Sequence, residues 1–284
     1  MTGQDFFQAR FWGVRGSIAT PGPETARYGG NTSCVELRCG PHLLILDAGT
    51  GIRPLGVALG RAGGALTADL FLTHTHYDHI GGLPFFGPAY DPGNDILIWE
   101  GHLGPATDLH DVMTMLMASP LFPVPATLIE KSCRYRKFQA GETLTPRPGV
   151  TVRTAPLNHP DGATGYRIDH AGRSFCFITD HEHPAEGPGD ALVELVRGAD
   201  VMVYDSTYTD AEYARHRGWG HSTWQEACRL ADTAGVKRVV LFHHDPGRDD
   251  AALDAIVAEA DRLRPGTLAA REGMVLDLLA GTVG

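Results

Sequence analysis

Residues 73–82 read THTHYDHIGG and place three histidines and one aspartate within a short run. His74 and His76 are separated by one residue, a spacing that puts two side chains on the same face only where the chain is extended. Because a short apolar run precedes them, the pattern predicts a buried strand whose tip points both imidazoles in one direction. Asp78 and His79 follow where the chain turns, and we expect them to face a second position nearby.

This arrangement favours two metal ions over one. A single tetrahedral ion takes three or four protein ligands, and neighbouring ligands in a turn seldom converge on it. Histidine and aspartate without a thiolate suit zinc, manganese or iron, so the ligand types do not select one metal. We therefore expect two divalent metal ions, with zinc as the first choice and manganese or iron as alternatives.

The composition indicates one large globular domain. The chain has 284 residues with 43% hydrophobic content, enough for a sizeable core. Its 24 basic and 34 acidic residues give a formal charge of −10, which argues against a protein built to coat nucleic acid or an anionic membrane. We expect a single domain over residues 1–284, with two halves that meet near residue 150.

The five cysteines have no CxxC spacing and are expected to be reduced. The opening residues lack the pattern of a secretory signal, and no apolar run approaches the roughly 18 residues of a membrane span. The sequence therefore predicts a cytoplasmic protein without a membrane partner.

Short apolar runs that end in Gly, Asp or His recur along the chain and predict buried strands with functional tips. They occupy residues 42–51, 69–76, 175–183, 200–208 and 237–245. Helical patterns occupy residues 105–117, 222–235 and 249–266, the second with Ser222 as the expected N-cap. Alternating strands and helices indicate an α/β protein with its site along one edge of a sheet layer.

The run HTHYDH resembles the HxHxDH signature of the metallo-β-lactamase superfamily, and its other motifs follow in order over nearly the whole chain. They are Asp47 in LILDAGTG, His159 in LNHP, Asp180 in ITDHEH and His243 in LFHHDP. The resemblance implies an α/β fold of the αββα four-layer sandwich type, with a dinuclear metal site at the sheet edge.

Carried over position by position, the resemblance implies two ligand sets joined by one aspartate. The first metal would be held by His74, His76 and His159. The second metal would be held by Asp78, His79 and His243, with Asp180 as the bridge and Asp47 behind the ligands as an orienting group. From the residues alone His243 and His244 are both open, and the resemblance favours His243 because it directly follows the apolar strand.

Two further stretches are similar to the ribonuclease Z branch of this superfamily, in which a HEAT-like motif supplies a carboxylate and an HST motif a histidine. Tyr204 and Asp205 stand where that branch has His and Glu, and residues 221–223 read HST. The resemblance implies a catalytic set of His221, Asp205 and the ligand Asp78. His221 would act as general acid on the leaving group, and Asp205 would keep it charged and aimed.

Two metal ions about 3.5 to 4 Å apart lower the pKa of a bridging water and clamp the attacking and leaving oxygens. The predicted function is therefore hydrolysis of a small cyclic or linear phosphodiester by a metal-bridging hydroxide. Structured tRNA is not expected as substrate, because the chain is acidic and no basic, Gly-rich arm is apparent.

Two alternatives stay open. A thioester or lactone hydrolase similar to glyoxalase II or the lactonases would share HxHxDH, although a thiolate leaving group needs no acid comparable to His221. A non-catalytic metal-binding regulatory module would keep the fold, but degenerate members usually lose ligands.

Several peripheral features carry further expectations. Residues 105–125 are rich in methionine and could form a lid or a dimer contact, and we favour a homodimer contact. Arg15 and Ser17 could offer donors to a phosphate. Trp219 could stack on a base, but ordinary packing is the favoured interpretation.

Overall fold

Two β-sheets are formed within residues 6–284, the part of the chain that the computed structural model describes. The first sheet is built from Phe7–Gly13 (β1), Cys34–Cys39 (β2), His42–Leu46 (β3), Thr67–Phe71 (β4), Asp95–Glu100 (β5), Cys133–Lys137 (β6), Val275–Asp277 (β14) and Thr282–Val283 (β15). The second is built from Thr143–Arg147 (β7), Val150–Leu157 (β8), Ala163–His170 (β9), Arg173–Ile178 (β10), Val201–Asp205 (β11), Arg238–Phe242 (β12) and Leu268–Ala269 (β13).

The helices lie mainly in the connections that follow these strands. Their bounds are Ile52–Ala62 (α1), Tyr77–Ile80 (α2), Leu109–Leu116 (α3), Asp190–Val196 (α4), Asp210–Tyr213 (α5), Trp224–Ala234 (α6) and Asp250–Leu263 (α7). In the order of neighbours, the first sheet reads β15-β14-β1-β2-β3-β4-β5-β6 and the second reads β13-β12-β11-β10-β9-β8-β7. The chain thus passes between sheets once after β6, and its last two strands return to the first sheet.

Each sheet is parallel on one side and antiparallel on the other. Strands β3 to β6 pair in parallel in the first sheet, and β10 to β13 do so in the second. Parallel strands covered on both faces need near-continuous apolar sequence, which explains why all five residues of β11 are buried. The carboxyl ends of each parallel set lie at a common edge, where polar residues that follow the strands can meet.

Three apolar cores separate four layers. Phe71 and Trp99 of the first sheet pack with Phe177 and Phe242 of the second in a core between the sheets. A second core joins the outer face of the first sheet to α1 and α3, and a third joins the outer face of the second sheet to α4, α6 and α7. The molecule is therefore the predicted αββα sandwich.

The predicted helices are confirmed with shifted ends. In the 105–117 pattern the helix begins later, because Asp108 caps it by accepting a hydrogen bond from the His110 backbone N–H. Ser222 is not the N-cap of α6: Thr223 is, since its side chain accepts from the Glu226 backbone N–H. The Ser222 hydroxyl instead contacts His183 and Tyr204.

All five cysteines are free and buried. Within residues 6–284, no helix has both the length and the apolar character that crossing a bilayer requires.

Candidate metal centre

The residues that the sequence assigned to metal binding come from both sheets and meet at one edge of the sandwich. His74, His76, Asp78 and His79 follow β4 of the first sheet, directly before and within the single-turn helix α2. His159, Asp180 and His243 follow β8, β10 and β12 of the second sheet. The residues from the second sheet stand one or two positions after a strand end and those from the first sheet three to eight positions after one, so the packing of the two sheets sets the distances between them.

His74, His76 and His159 form one group whose potential ligand atoms lie within 4.8 Å of one another. The Nε2 of His159 lies 3.0 Å from the Nδ1 of His76. His74 is buried, whereas the side chain of His76 is 41% exposed, so the site opens to solvent beside His76.

Asp78, His79, Asp180 and His243 form the second group, and all four are buried. The Oδ2 of Asp78 lies 3.2 Å from His79 Nε2 and 3.3 Å from His243 Nε2. The backbone N–H of Ser17 donates to the same oxygen at 2.7 Å, which ties the opening loop of the chain to the site.

Asp180 lies between the groups and turns one oxygen to each. Its Oδ1 is 3.8 Å from His74 Nε2 and 3.7 Å from His159 Nε2. Its Oδ2 is 3.1 Å from His79 Nε2 and 3.3 Å from His243 Nε2. This placement suits a carboxylate that would be shared by two metal ions.

The chemistry of the cluster fits metal ions. The Nε2 atom of His74 is buried without a hydrogen-bond partner, an arrangement that is costly unless a cation takes the place of the partner. Burial lowers the pKa of His74 and so favours the neutral imidazole that a metal needs. Burial would raise the pKa of Asp180, but His243 and His79 outweigh it and keep the carboxylate charged.

Behind the cluster, other side chains hold the nitrogens that face away from it. Asp47 is fully buried and lies 2.7 Å from His79 Nδ1, and it also accepts from the Thr73 backbone N–H and the Ser33 hydroxyl. A group in this position fixes the ring orientation and tautomer of a histidine ligand. Asp47 thus lies where the resemblance places the orienting residue.

Two further contacts of this kind were not anticipated from the sequence. The hydroxyl of Thr207 lies 3.1 Å from His243 Nδ1, and the backbone carbonyl of Gly220 accepts from His159 Nδ1 at 2.8 Å. Thr207 belongs to the DSTY stretch, but no sequence pattern marks a hydroxyl residue in a turn as a partner of a metal ligand. A backbone carbonyl has no sequence signal at all.

His221, whose side chain is 12% exposed, pairs with the fully buried Asp205 beside the second group. The Nδ1 of His221 lies 2.9 Å from Asp205 Oδ2 and 3.8 Å from Asp180 Oδ1. Burial alone would lower the pKa of His221, but the Asp205 carboxylate and its hydrogen bond outweigh burial and raise the pKa to about 9. Potential ligand atoms of His221, Asp205, Asp180 and His243 also lie within 4.8 Å of one another, so His221 is adjacent to the metal cluster.

Other residues that the sequence singled out lie elsewhere. His244 is buried with Nε2 2.8 Å from the Ala270 carbonyl and is not part of either group. Arg15 does not face the site, because its buried guanidinium donates to the carbonyls of Gly29, Asp245 and Arg248. Trp219 is 61% exposed, and its ring packs edge-on against His216 with the ring centroids 5.1 Å apart.

The methionine-rich segment is divided between core and surface. Met113 and Met117 are buried in the core under α3, whereas Met115 is 68% exposed and Leu121 is 79% exposed. The Phe122 ring packs edge-on against Phe85, with the ring centroids 5.5 Å apart. The homodimer contact stays a prediction.

Comparison with known proteins agrees with this architecture. A family model described as a beta-lactamase superfamily domain matches residues 43–244. Ribonuclease Z of Mycobacterium sp. (strain KMS) is 29% identical over 261 residues, covering 80% of this chain and 81% of that protein. Ribonuclease Z of Brevibacillus brevis is 35% identical over 141 residues, and this match spans 46% of the chain and 43% of the relative's length.

A solved structure shares the fold over nearly all of the chain. The metallo-beta-lactamase fold protein YhfI from Bacillus subtilis superposes with a TM-score of 0.71 at 18% identity, covering 96% of this chain and 100% of that chain. The predicted fold is thereby confirmed. Since the family model spans more than half of the residues, the chain belongs to the beta-lactamase superfamily.

Proposed function

We propose that the protein hydrolyses a small cyclic or linear phosphodiester at a pair of divalent metal ions. The protein is a metal-dependent hydrolase, the class to which its ribonuclease Z relatives point. The observation that carries the choice of a phosphodiester is the pairing of His221 with Asp205 at the edge of the metal cluster. A leaving alkoxide needs a proton donor at this place, whereas a thiolate leaving group does not.

The ligand sets are those of the two groups. His74, His76 and His159 would hold one metal ion, and Asp78, His79 and His243 the other, with Asp180 shared. Bound divalent ions supply an activated water and electrostatic stabilisation of the phosphate oxygens. The donor set contains nitrogen and oxygen but no sulfur, which zinc, manganese and iron all accept, and zinc is our first choice.

His221 is placed to assist the leaving group. Asp205 occupies its Nδ1, so Nε2 is the nitrogen that can pass a proton to the departing oxygen. Asp205 is itself held by the backbone N–H groups of Asp180 and Thr207 at 3.0 and 3.1 Å. Because these donors fix the carboxylate, His221 is oriented relative to the ligand Asp180.

The net charge of the chain favours a small diester over structured tRNA as the substrate. The chain has a formal charge of −10, and binding a folded RNA depends on many phosphate contacts to basic side chains. The ribonuclease Z relatives make RNA the informative competitor in any substrate test.

The proposal is tested by loading the full chain with zinc or manganese and measuring bound metal and hydrolysis of bis(p-nitrophenyl) phosphate. We expect close to two ions per chain and turnover that a chelator abolishes. The same preparation is assayed with cyclic nucleotides, dinucleotides, short RNA, precursor tRNA and acyl thioesters. Fewer than one ion per chain after reconstitution, or faster hydrolysis of thioesters than of any diester, would contradict the proposal.

A further inference from the structure

We propose that Glu182 is a positioning residue that holds the main chain around His159 and His221 in register with the metal centre. Glu182 lies two residues after Asp180 in the DHEH stretch, and it acts through other residues without touching the reacting atoms. The kinetic part of this inference rests on the proposed function, whereas the structural part does not.

The Glu182 carboxylate accepts hydrogen bonds from one short segment of chain, residues 213–220. Its Oε1 accepts from the Tyr213 hydroxyl at 3.0 Å and from the Gly218 backbone N–H at 2.8 Å. Its Oε2 accepts from the Gly220 backbone N–H at 2.9 Å. Hydrogen bonds to a charged acceptor are about twice as strong as neutral ones, so three together can fix a glycine-rich loop.

That loop has an unusual backbone conformation, which hydrogen bonds must hold in place. Gly218 and Gly220 both adopt left-handed conformations, with φ of 85° and 84°. A Cβ atom at Gly220 would overlap the ring of His159. The loop therefore passes so close to the ligand His159 that only glycine fits, and the exposed Trp219 side chain is turned outward between the two glycines.

The segment held by Glu182 acts on the site at two points. The Gly220 carbonyl accepts from His159 Nδ1 at 2.8 Å, which leaves Nε2 of that ring to face the metal cluster. The next residue is His221, whose Nδ1 is bound to Asp205. A shift of the Gly220 peptide would therefore move a metal ligand and the general acid together.

Hydrogen bonds to Asn158, the residue before the candidate ligand His159, hold the backbone of Glu182. Its N–H donates to the Asn158 carbonyl at 2.8 Å, and the Asn158 side chain donates to the Glu182 carbonyl at 2.9 Å. Asn158 directly precedes His159, and Asp180 stands two residues before Glu182. Glu182 thus links the strand ends that carry His159 and Asp180 to the loop that carries His221.

Glu182→Gln tests this role, because the variant keeps the size of the side chain but turns an amide N–H group toward backbone donors. Glu194→Gln is the matched control, since Glu194 is an exposed glutamate on α4 whose side chain is 68% exposed. Tyr213→Phe removes only one of the three donors and serves as the milder variant. All are measured as full chains loaded with zinc.

The first readout is hydrogen exchange at Gly218 and Gly220. We expect exchange to be at least about tenfold faster in Glu182→Gln, the size that loss of a hydrogen bond to a charged group produces, with no change in Glu194→Gln. This readout does not depend on catalysis, so it decides the role of Glu182 even if the wild-type protein hydrolyses no diester. Unchanged exchange would overturn the inference.

The second readout is the dependence of kcat on the leaving group. With 2′,3′-cyclic AMP, whose leaving group is an alkoxide, we expect Glu182→Gln to lower kcat at least about tenfold, and with bis(p-nitrophenyl) phosphate less than about threefold. Adding Glu182→Gln to His221→Ala should then cause little further loss on the cyclic substrate. Turnover is expressed per bound metal ion, because displacement of His159 would lower turnover of both substrates through loss of metal. Equal losses on both substrates per bound ion would overturn the inference.

Discussion

At the scale of single residues, three site positions have an unusual backbone. Asp47, Asp180 and His243 adopt left-handed conformations with φ of 61°, 58° and 59°, which cost about 1 to 2 kcal/mol each for residues that carry a Cβ. Asp47 and His243 stand directly after a strand and Asp180 two residues after one, so the left-handed turns lie where the chain leaves the sheet. The rest of the fold supports this strain at the positions where side chains must converge.

Asp47→Asn should weaken metal binding without unfolding the protein. Asparagine tolerates the left-handed backbone, so the variant isolates the loss of charge behind His79 and avoids the added strain that alanine would bring. We expect a loss of about 10- to 100-fold in metal affinity, measured by competition with a chromophoric chelator. Asp111→Asn, at an exposed position of α3, should bind metal as the wild type does, and unchanged affinity in Asp47→Asn would contradict the orienting role.

His221→Ala should separate substrates by leaving group. We expect its kcat to fall by about 10²- to 10⁴-fold with alkoxide leaving groups and far less with p-nitrophenolate, which departs without a proton. His110→Ala, which removes an exposed histidine of α3, is the control. If both leaving groups suffer alike, His221 is not a general acid.

At the scale of elements, the connection between α5 and α6 links the candidate metal ligand His159 to the candidate general acid His221. It carries Gly220, whose carbonyl holds His159, and His221, whose ring is held by Asp205 at the end of β11. Helix α6 then begins immediately, with Thr223 as its cap. A capped helix gives this connection a fixed end, so the position of His221 is set from both sides.

Gly220→Ala and Gly218→Ala form a matched pair that tests this connection. Both variants force a left-handed alanine, but only at Gly220 would the added Cβ overlap His159, since Gly218 has open space around it. We expect Gly218→Ala to lose about 1 kcal/mol of stability from backbone strain alone, Gly220→Ala to lose more because of the overlap with His159, and only Gly220→Ala to lose bound metal. Thermal melts and metal content after dialysis distinguish the two effects. Equal metal content in both would show that the loop does not position His159.

At the scale of the whole molecule, the cluster of candidate metal ligands joins the two sheets. Four of its residues follow β4 in the first sheet, and three follow strands of the second. Beyond this cluster the sheets are held by the apolar core that contains Phe71 and Phe177. Metal ions bound here would therefore act as cross-links between the halves of the sandwich.

Metal should raise the thermal stability of the full chain. Ions that bind the folded state and not the unfolded one stabilise it by about 2.7 kcal/mol at a free concentration 100 times the dissociation constant. We expect the melting temperature to rise with added zinc and to fall with a chelator, as followed by circular dichroism. His243→Ala should reduce the rise, and a melting temperature indifferent to zinc and chelator would contradict metal binding at this interface.

The residue types of the site and their local placement follow from the sequence alone. Apolar runs that end in polar residues predict strand tips, and alternate spacing in HTHYDH places His74 and His76 on one side of an extended chain. These are local properties, since the period of side-chain direction depends on the backbone of a few consecutive residues. The family and the four-layer fold followed from the same motifs, and both are confirmed.

The tertiary structure decided which atoms meet. His159 and Gly220 are 61 residues apart, and the two oxygens of Asp180 face groups from different sheets only because the sheets pack face to face. Sequence could not distinguish Ser222 from Thr223 as the cap of α6, nor show that Glu182 holds the loop before His221. Such contacts depend on the relative position of distant strand ends, which the packing of the cores sets and no local pattern encodes.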